Sequence, residues 1–319
     1  MRMRFLGNTG LKVSELSLGA VPASALVRMA VDAGVNFFDT ADMYSQGLAE
    51  EMLGKVLGPR RSEFIIATKV WGRMGPGPND VGLSRHHIMR ACEASLKRLR
   101  TDYIDLYQAH SLDPPTRLED TLRAFDDLVR QGKVRYIGCS NFTGWQLMKA
   151  LAISDKYGWE RFVTLQAYYS LVGRDLEHEL VPLCLDQGLG ILPWSPLADG
   201  FLTGKYRPGQ PSPKGARRST PEGRNLPIDE ERGFEIVEEL DRIANDHDAT
   251  VAQAALNYLL RKPGVTSVII GARTAEQLAE NLKTADWEMT PDEVSRLDVI
   301  SQPHKVYPYW FLEKISHDR

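Results

Sequence analysis

Short apolar runs alternate along the chain with longer segments of helical period. In eight of these runs the apolar residues follow one another almost without interruption, as expected for strands that are covered on both faces. The predicted strands are Leu16–Ala20, Val35–Asp39, Phe64–Lys69, Ile104–Gln108, Val134–Cys139, Phe162–Ala167, Gly190–Trp194 and Ser267–Ile270. Strands separated by helices predict parallel pairing through right-handed crossovers.

The segments between these runs place apolar residues along one helix face. Thr116–Gln131 shows this pattern and ends before Gly132, a residue type that commonly follows a helix. Ser84–Arg100 shows it too, with a stripe formed by Ile88, Cys92, Leu96 and Leu99. Eight strand–helix units in 319 residues fit a closed (β/α)8 TIM barrel, an α/β fold, better than an open sheet.

Some segments lie outside this repeat. Met3–Phe5 and Val13–Leu16 flank a glycine-containing turn and predict an N-terminal β-hairpin that could close the barrel floor. Glu230–Asn245 and Pro291–Ile300 predict two extra helices. No linker divides the chain, so we interpret residues 1–319 as a single domain.

Composition and charge narrow the functional classes. Hydrophobic residues make up 43% and charged residues 25%, values typical of a globular protein with a full core. The formal net charge of -3 provides no general attraction to nucleic acid or to an anionic membrane. The basic residues Lys214, Arg217 and Arg218 lie in the Pro- and Gly-rich segment 202–229, where we favour a solvated loop over a phosphate site.

Three cysteines, Cys92, Cys139 and Cys184, lack CxxC spacing and are odd in number, which argues against a disulfide framework or a metal site. The N-terminal segment has no apolar core of a signal peptide. No stretch approaches the roughly 18 unbroken apolar residues of a membrane span. We therefore expect a cytoplasmic protein with no membrane segment.

Polar residues follow the apolar runs at most predicted strand ends, which is where a (β/α)8 barrel forms its active site. Asp39 ends the second strand, Tyr44 lies in the loop beyond it, Lys69 ends the third strand and His110 follows the fourth. Singly, these residues could be a helix cap, a packing residue, a solvated lysine and a structural histidine. Neighbouring strands, however, bring all four to one opening.

Simple chemistry relates these side chains to one another. A buried Lys69 needs a counter-charge, which Asp39 can supply. A nearby ammonium favours the ionised phenol and would make Tyr44 a tuned proton donor. The sequence lacks the HExxH, GxSxG, GxGxxG and GxxxxGK[ST] motifs. A tuned acid without a nucleophile or metal suggests carbonyl chemistry with hydride from a cofactor, although Asp39 with His110 could also serve a hydrolase or isomerase.

Six stretches together resemble the signatures of the aldo-keto reductase family. They are Gly34–Tyr44, Ala67–Lys69, Asp102–His110, Gly132–Phe142, Trp194–Leu197 with Gly204–Tyr206, and Ile270–Leu282. The sequence looks most similar to a bacterial branch that also resembles potassium-channel β subunits. The resemblance implies an NADPH-dependent enzyme in which Tyr44 protonates the carbonyl, Lys69 with Asp39 assists it, and His110 orients the carbonyl oxygen.

The resemblance also implies how NADPH or NADP+ is held. The nicotinamide amide would be bound by Ser140, Asn141 and Gln166, and Trp194 would stack on the ring. The segment over the pyrophosphate corresponds to Ser195, Pro196, Leu197, Gly200 and Lys205. The adenosine site corresponds to Gly271, Arg273, Gln277, Glu280 and Asn281. Arg273 at a helix start suits a 2′-phosphate and favours NADP over NAD, although it could also be a solvated arginine.

The connection after the first strand departs from the family pattern. Leu18–Ala20 runs almost directly into Val21–Ser24, where the family usually has a longer loop. Either the protein has lost a substrate-lining loop or a segment is missing from this sequence, and the well-matched flanks favour the second explanation.

The loops suggest the kind of substrate. Trp71 and Met74 in the 70–83 loop suggest room for a bulky, ring-containing carbonyl or alcohol. Aromatic residues in the tail 302–319 could line an apolar pocket or pack on the barrel. The alternative function is an NADPH-binding regulatory subunit that acts as a redox sensor with little turnover. The sequence indicates no oligomeric state.

Overall fold

The computed structural model describes residues 1–19, 23–206, 208–210, 213, 218 and 226–316. Its strands are β1 (Met3–Phe5), β2 (Lys12–Ser14), β3 (Leu16–Gly19), β4 (Phe37–Asp39), β5 (Ile65–Val70), β6 (Ile104–Ala109), β7 (Val134–Ser140), β8 (Phe162–Tyr168), β9 (Gly190–Trp194) and β10 (Val268–Ile270). Its helices are α1 (Ser24–Asp32), α2 (Leu48–Leu57), α3 (Arg85–Leu99), α4 (Leu118–Arg130), α5 (Gly144–Tyr157), α6 (Leu180–Gln187), α7 (Glu230–Asp246), α8 (Val251–Arg261), α9 (Ala275–Leu282), α10 (Pro291–Ile300) and α11 (Tyr309–Ser316). The connection through residues 20–22, and the basic residues Lys214 and Arg217, lie outside the described residues.

Strands β3 to β10 form one parallel sheet that curves into a barrel, so the predicted (β/α)8 TIM-barrel fold is confirmed. Consecutive strands pair in chain order, and β10 pairs with β3. The segment just before β10 meets β9 through an isolated parallel bridge between Val265 and Ile191. There the Thr266 amide donates to the Ile191 carbonyl at 2.9 Å, which brings the two ends of the sheet together.

The barrel interior has an apolar lower layer and a polar upper layer. Phe37, Ala67, Leu106 and Leu192 belong to one buried apolar cluster inside the strands. Because side chains alternate along a strand, the residue two positions further on also points inward. On these four strands it is Asp39, Lys69, Gln108 and Trp194, respectively. These site residues therefore lie directly above a packed layer of apolar side chains.

The predicted N-terminal hairpin is present and closes the floor of the barrel. β1 and β2 pair antiparallel, and Val13 in β2 and Leu6 just after β1 are fully buried in the same apolar cluster. Gly7 has φ +53°, and a Cβ atom there would lie 2.7 Å from the Val163 carbonyl oxygen. The tight approach of this turn to the barrel thus requires glycine.

Helices α7 and α10 lie outside the eight strand–helix units, as predicted, and the tail adds α11. Tyr309 in α11 stacks on His178 with ring centroids 5.2 Å apart. Tyr307 and Trp310 remain 72% and 50% exposed. Across the described part of the chain, no helix is both long and apolar enough to cross a membrane.

Candidate active site

An ion pair between Lys69 and Asp39 lies at the upper end of the barrel. Lys69 Nζ donates to Asp39 Oδ1 at 2.5 Å and to the Thr40 carbonyl oxygen at 2.7 Å, and the lysine side chain is fully buried. Burial works against the ammonium form, but the interactions with Asp39 and Tyr44 outweigh it, and the pKa of Lys69 lies above its usual value. Lys69 therefore stays charged in the barrel.

Tyr44 and His110 lie beside this ion pair. Lys69 Nζ is 3.5 Å from the Tyr44 hydroxyl and 4.9 Å from the centre of its ring. The rings of Tyr44 and His110 meet edge to face with centroids 5.7 Å apart. Both rings are half-buried. The four residues predicted to act together are thus adjacent at one opening.

A tight turn holds Tyr44 in place. Ser45, Gln46 and Gly47 all have positive φ angles, of 50°, 54° and 92°. L-residues rarely adopt this conformation, so the turn is maintained by its surroundings. One support is Arg98, whose side chain packs against Gly47 so closely that a Cβ atom on the glycine would lie 2.6 Å from Arg98 Cδ.

The residues expected to hold the nicotinamide lie around the same opening. Ser140 ends β7 and is buried, and Gln166 in β8 is paired with it in register. Asn141 bridges the two sides of the opening, since its Nδ2 donates to the His110 carbonyl oxygen at 2.9 Å. Its Oδ1 accepts from Trp194 Nε1 at 3.1 Å. The indole is thereby fixed beside the catalytic candidates.

The expected phosphate-binding residues come together from β9 and β10. After β9, Ser195, Pro196 and Leu197 lead into a turn in which Gly200 adopts φ +86°. A Cβ atom on Gly200 would lie 2.8 Å from Lys205 Nζ, so the ammonium lies directly against the glycine. Burial and the Arg273 guanidinium together lower the pKa of Lys205. Two cations that repel each other here fit an anionic phosphate group.

The residues expected around the adenosine lie on α9 and the loop before it. The backbone amide of Arg273 donates to the Gln277 side chain at 2.9 Å. Asn281 Nδ2 donates to the Gly271 carbonyl oxygen at 3.3 Å, and the Glu280 carbonyl accepts from Gln253 at 3.0 Å. A Cβ atom on Gly271 would meet none of the described residues within 4 Å. Hydrogen bonds therefore hold the loop in place, while the space next to Gly271 is not filled by the described residues.

Comparison with known proteins supports the same family. The sequence model of the Aldo/keto reductase family matches residues 6–302. The chain belongs to the aldo/keto reductase family. An uncharacterized oxidoreductase of Bacillus subtilis is 39% identical over 306 residues, which cover 90% of this chain and 91% of that protein. A probable voltage-gated potassium channel subunit beta of Arabidopsis thaliana is 39% identical over 305 residues, covering 90% and 92%. Versiconal hemiacetal acetate reductase of Aspergillus parasiticus is 33% identical, covering 95% and 98%.

These matches confirm the resemblance read from the six motifs, including the similarity to channel β subunits. Aldo/keto reductases are oxidoreductases that act on small carbonyl compounds and generally bind NAD(P)H. The hydrolase or isomerase alternative gains no support from them. A hydrolase or isomerase would also give no role to Trp194 or to the pair of Lys205 and Arg273.

Two glutamines extend the aldo/keto reductase site beyond the residues chosen from the sequence. Asp39 Oδ2 accepts from Gln166 Nε2 at 2.8 Å and from Gln108 Nε2 at 3.3 Å. The family resemblance points to Gln166 only as a nicotinamide ligand, and it does not point to Gln108. The alternation along β6 could have identified Gln108, because it lies two residues after the inward-facing Leu106.

Proposed function

We propose that the protein is an NADPH-dependent aldo-keto reductase. It transfers hydride reversibly between NADP(H) and an aldehyde or ketone, or the corresponding alcohol. The observation that supports this most strongly is the Tyr44 hydroxyl next to a buried, charged Lys69 that is paired with Asp39. A phenol so placed can give a proton to a carbonyl oxygen and take it back from an alcohol.

The roles of the side chains follow from their contacts. The Lys69 ammonium stabilises negative charge on the Tyr44 oxygen as the proton leaves. Asp39 keeps Lys69 charged and oriented toward Tyr44. Gln108 and Gln166 donate hydrogen bonds to the second oxygen of Asp39. The His110 ring, in contact with Tyr44, would orient the carbonyl oxygen between them. Bound NADPH supplies the hydride.

We further propose NADP as the preferred nucleotide. Ser140, Asn141 and Gln166 would bind the nicotinamide amide, and Trp194, fixed by Asn141, would lie along the ring. The adjacent cations of Lys205 and Arg273 favour a ligand with more phosphate charge. A 2′-phosphate adds such charge, because a phosphate monoester carries close to two negative charges near neutral pH.

The substrate is proposed to be a low-molecular-weight carbonyl compound or alcohol that contains a bulky ring system. Trp71 follows β5 directly and is half-buried beside the opening. Met43, next to Tyr44, packs against Gly72, where a Cβ atom would lie 2.5 Å from the methionine sulfur. An indole and a thioether make an adaptable apolar wall.

A regulatory subunit is the second candidate, because a relative is named as a probable channel subunit beta. Such a protein would hold NADPH tightly and turn over little. The intact group of Asp39, Tyr44, Lys69 and His110 favours a working enzyme instead.

Carbonyl-dependent oxidation of NADPH distinguishes these two functions. A panel of aldehydes and ketones should be screened with the wild-type protein and with Tyr44→Phe, with the reverse reaction tested on alcohols and NADP+. We expect turnover by the wild type that falls at least about 100-fold in Tyr44→Phe. Tight NADPH binding with no turnover above that of Tyr44→Phe would overturn the enzyme proposal in favour of the regulatory one.

A further inference from the structure

A buried carboxyl group lies two residues before Tyr44. Asp42 is fully buried. Neither of its oxygens accepts a well-formed hydrogen bond from the described residues, and the adjacent Met43 amide offsets its burial only in part. Buried carboxylates are normally paired or hydrogen-bonded, because an ionised group without partners is costly in a low-dielectric interior. Asp42 therefore lacks the partners that a buried, ionised carboxylate normally has.

The neighbours of Asp42 do not supply a counter-charge. Glu50 on α2 approaches it with a second carboxyl group. The nearby cations are already paired: Arg98 on α3 donates to Glu50 at 2.6 Å, and Lys69 on β5 donates to Asp39. Tyr107 on β6, also near Asp42, has a buried hydroxyl with no partner among the described residues.

These surroundings favour the neutral acid. Burial, followed by repulsion from Glu50, raises the pKa of Asp42 from 3.8 to about 7, while Met43, Arg98 and Lys69 oppose the shift. The carboxyl group thus changes its charge close to neutral pH.

The same cluster supports the turn that places Tyr44. Glu50 accepts from Thr68 on β5 at 2.5 Å and from Arg98, which ties α2 to the barrel and to α3. Arg98 packs on Gly47, the last of the three left-handed residues after Tyr44. A new charge on Asp42 would act directly on this strained turn, because moving the turn toward water is the simplest way to solvate the carboxylate.

We propose that Asp42 is a positioning residue that holds the Tyr44 turn in its active arrangement only while its carboxyl group is protonated. Ionisation, in a cluster that already contains Glu50, displaces the turn and withdraws Tyr44 from Lys69 and His110. This inference rests on the proposed reductase function, since it assigns a pH control to that same site.

The test compares four forms of the full-length protein. The wild type, Asp42→Asn, Glu50→Gln and the control Glu51→Gln would be assayed for kcat and KM of NADPH-dependent carbonyl reduction between about pH 5.5 and pH 9. Asparagine imitates the neutral acid in shape. Glu51 is exposed on the same helix as Glu50, so it controls for the loss of one negative charge.

The two buried substitutions should have opposite effects. In the wild type, kcat should fall as Asp42 ionises. In Asp42→Asn the fall should move at least about one pH unit higher, to the ionisation of the remaining groups. In Glu50→Gln it should move lower, because the repelling charge is gone and Arg98 becomes available to the Asp42 carboxylate. Glu51→Gln should keep the wild-type midpoint. An Asp42→Asn profile with an unchanged midpoint overturns the proposal.

Infrared spectroscopy tests the ionisation without an assay. The carbonyl stretch of a protonated carboxyl group should be present in the wild type at about pH 6, vanish by about pH 8.5, and be missing from Asp42→Asn. If Asp42→Asn fails to fold, the infrared spectrum of the wild type is the deciding measurement. A wild-type spectrum in which no carboxyl group titrates near neutral pH overturns the proposal. Because the band does not depend on turnover, a protein with the band but no reductase activity contradicts the proposed function and not the ionisation.

Discussion

At the scale of single residues, the site depends on one buried charge pair. Lys69 is fully buried, and Asp39 accepts hydrogen bonds from Lys69, Gln108 and Gln166. Two glutamines fix the aspartate from the side opposite to the lysine. The placement of the Lys69 ammonium therefore does not depend on flexible surface groups, and removal of either charge should affect the chemistry and the fold together.

Substitution of the lysine separates catalysis from nucleotide binding. Lys69→Met should lower the rate of carbonyl reduction at least about 100-fold, because Tyr44 loses the cation that stabilises its anion. It should also destabilise the fold by about 3 kcal/mol, since Asp39 stays buried without its partner. NADPH affinity, measured by fluorescence titration, should change little. Lys97→Met, an exposed position on α3, is the control. Equal losses of affinity and rate would contradict the assigned role.

The buried acid beside Tyr44 has a separate effect on stability. The pKa of Asp42 is higher in the folded state than in the unfolded chain, so this group adds no instability at low pH and destabilises the fold increasingly as pH rises from about 4 to 7. Asp42→Asn should therefore raise the free energy of unfolding at pH 8, by up to about 4 kcal/mol, and much less at pH 4. Denaturant unfolding at the two pH values measures the difference. A gain that is equal at both would exclude the linkage.

The sequence predicted which residues meet, but not all of their contacts. Asp39, Tyr44, Lys69 and His110 follow from their positions at neighbouring strand ends, because parallel strands bring those ends to one opening. The hydrogen bonds of Asn141 to both the His110 backbone and Trp194 depend on a left-handed backbone at Asn141, with φ of 59°. Asparagine tolerates this conformation better than most residues, but no local pattern in the sequence requires it at this position.

At the scale of elements, the predicted strands and helices are present, and their ends differ for physical reasons. β4 was predicted to begin at Val35 but begins at Phe37. The Val35 amide donates to the Ala30 carbonyl oxygen near the end of α1. The chain after α1 therefore uses Val35, an apolar residue predicted to lie in the strand, to complete the end of the helix. Likewise α4 begins at Leu118 and not at Thr116, because Thr116 donates from both its amide and its hydroxyl to Asp113. Apolar patterning does not detect such local hydrogen bonds.

The turn between β4 and α2 is the element most sensitive to a small change. Gly47→Ala places a methyl group in a left-handed residue against Arg98, which is held by Glu50. We expect a loss of about 1–2 kcal/mol in stability, with a lower kcat as Tyr44 shifts. Gly58→Ala is the matched control, because Gly58 has helical φ and ψ angles and a Cβ atom there would meet no atom of the described residues within 4 Å. Equal effects of the two substitutions on kcat would show that the turn does not position Tyr44.

At the scale of the whole molecule, the N-terminal hairpin completes the core. Leu6 is fully buried among the inward-facing residues of the barrel floor. Leu6→Ala should therefore cost about 3 kcal/mol of unfolding free energy, through lost apolar contact and a cavity. Leu48→Ala, at a leucine that is 62% exposed, should change it by less than about 0.5 kcal/mol. Thermal or denaturant unfolding compares the two, and similar losses would mean that the hairpin does not contribute to the core.

The barrel closes at a junction that lies beside the expected phosphate site. β9 is joined to the segment before β10 by an isolated bridge, and burial together with the Arg273 guanidinium after β10 lowers the pKa of Lys205 after β9. These two cations repel across the junction where the sheet is least connected. A nucleotide phosphate bound between them would replace that repulsion with attraction on both sides. If the protein is the reductase proposed above, occupancy by the nucleotide would then add to the cohesion of the barrel, and the supply of NADPH would set how long the protein survives as well as how fast it works.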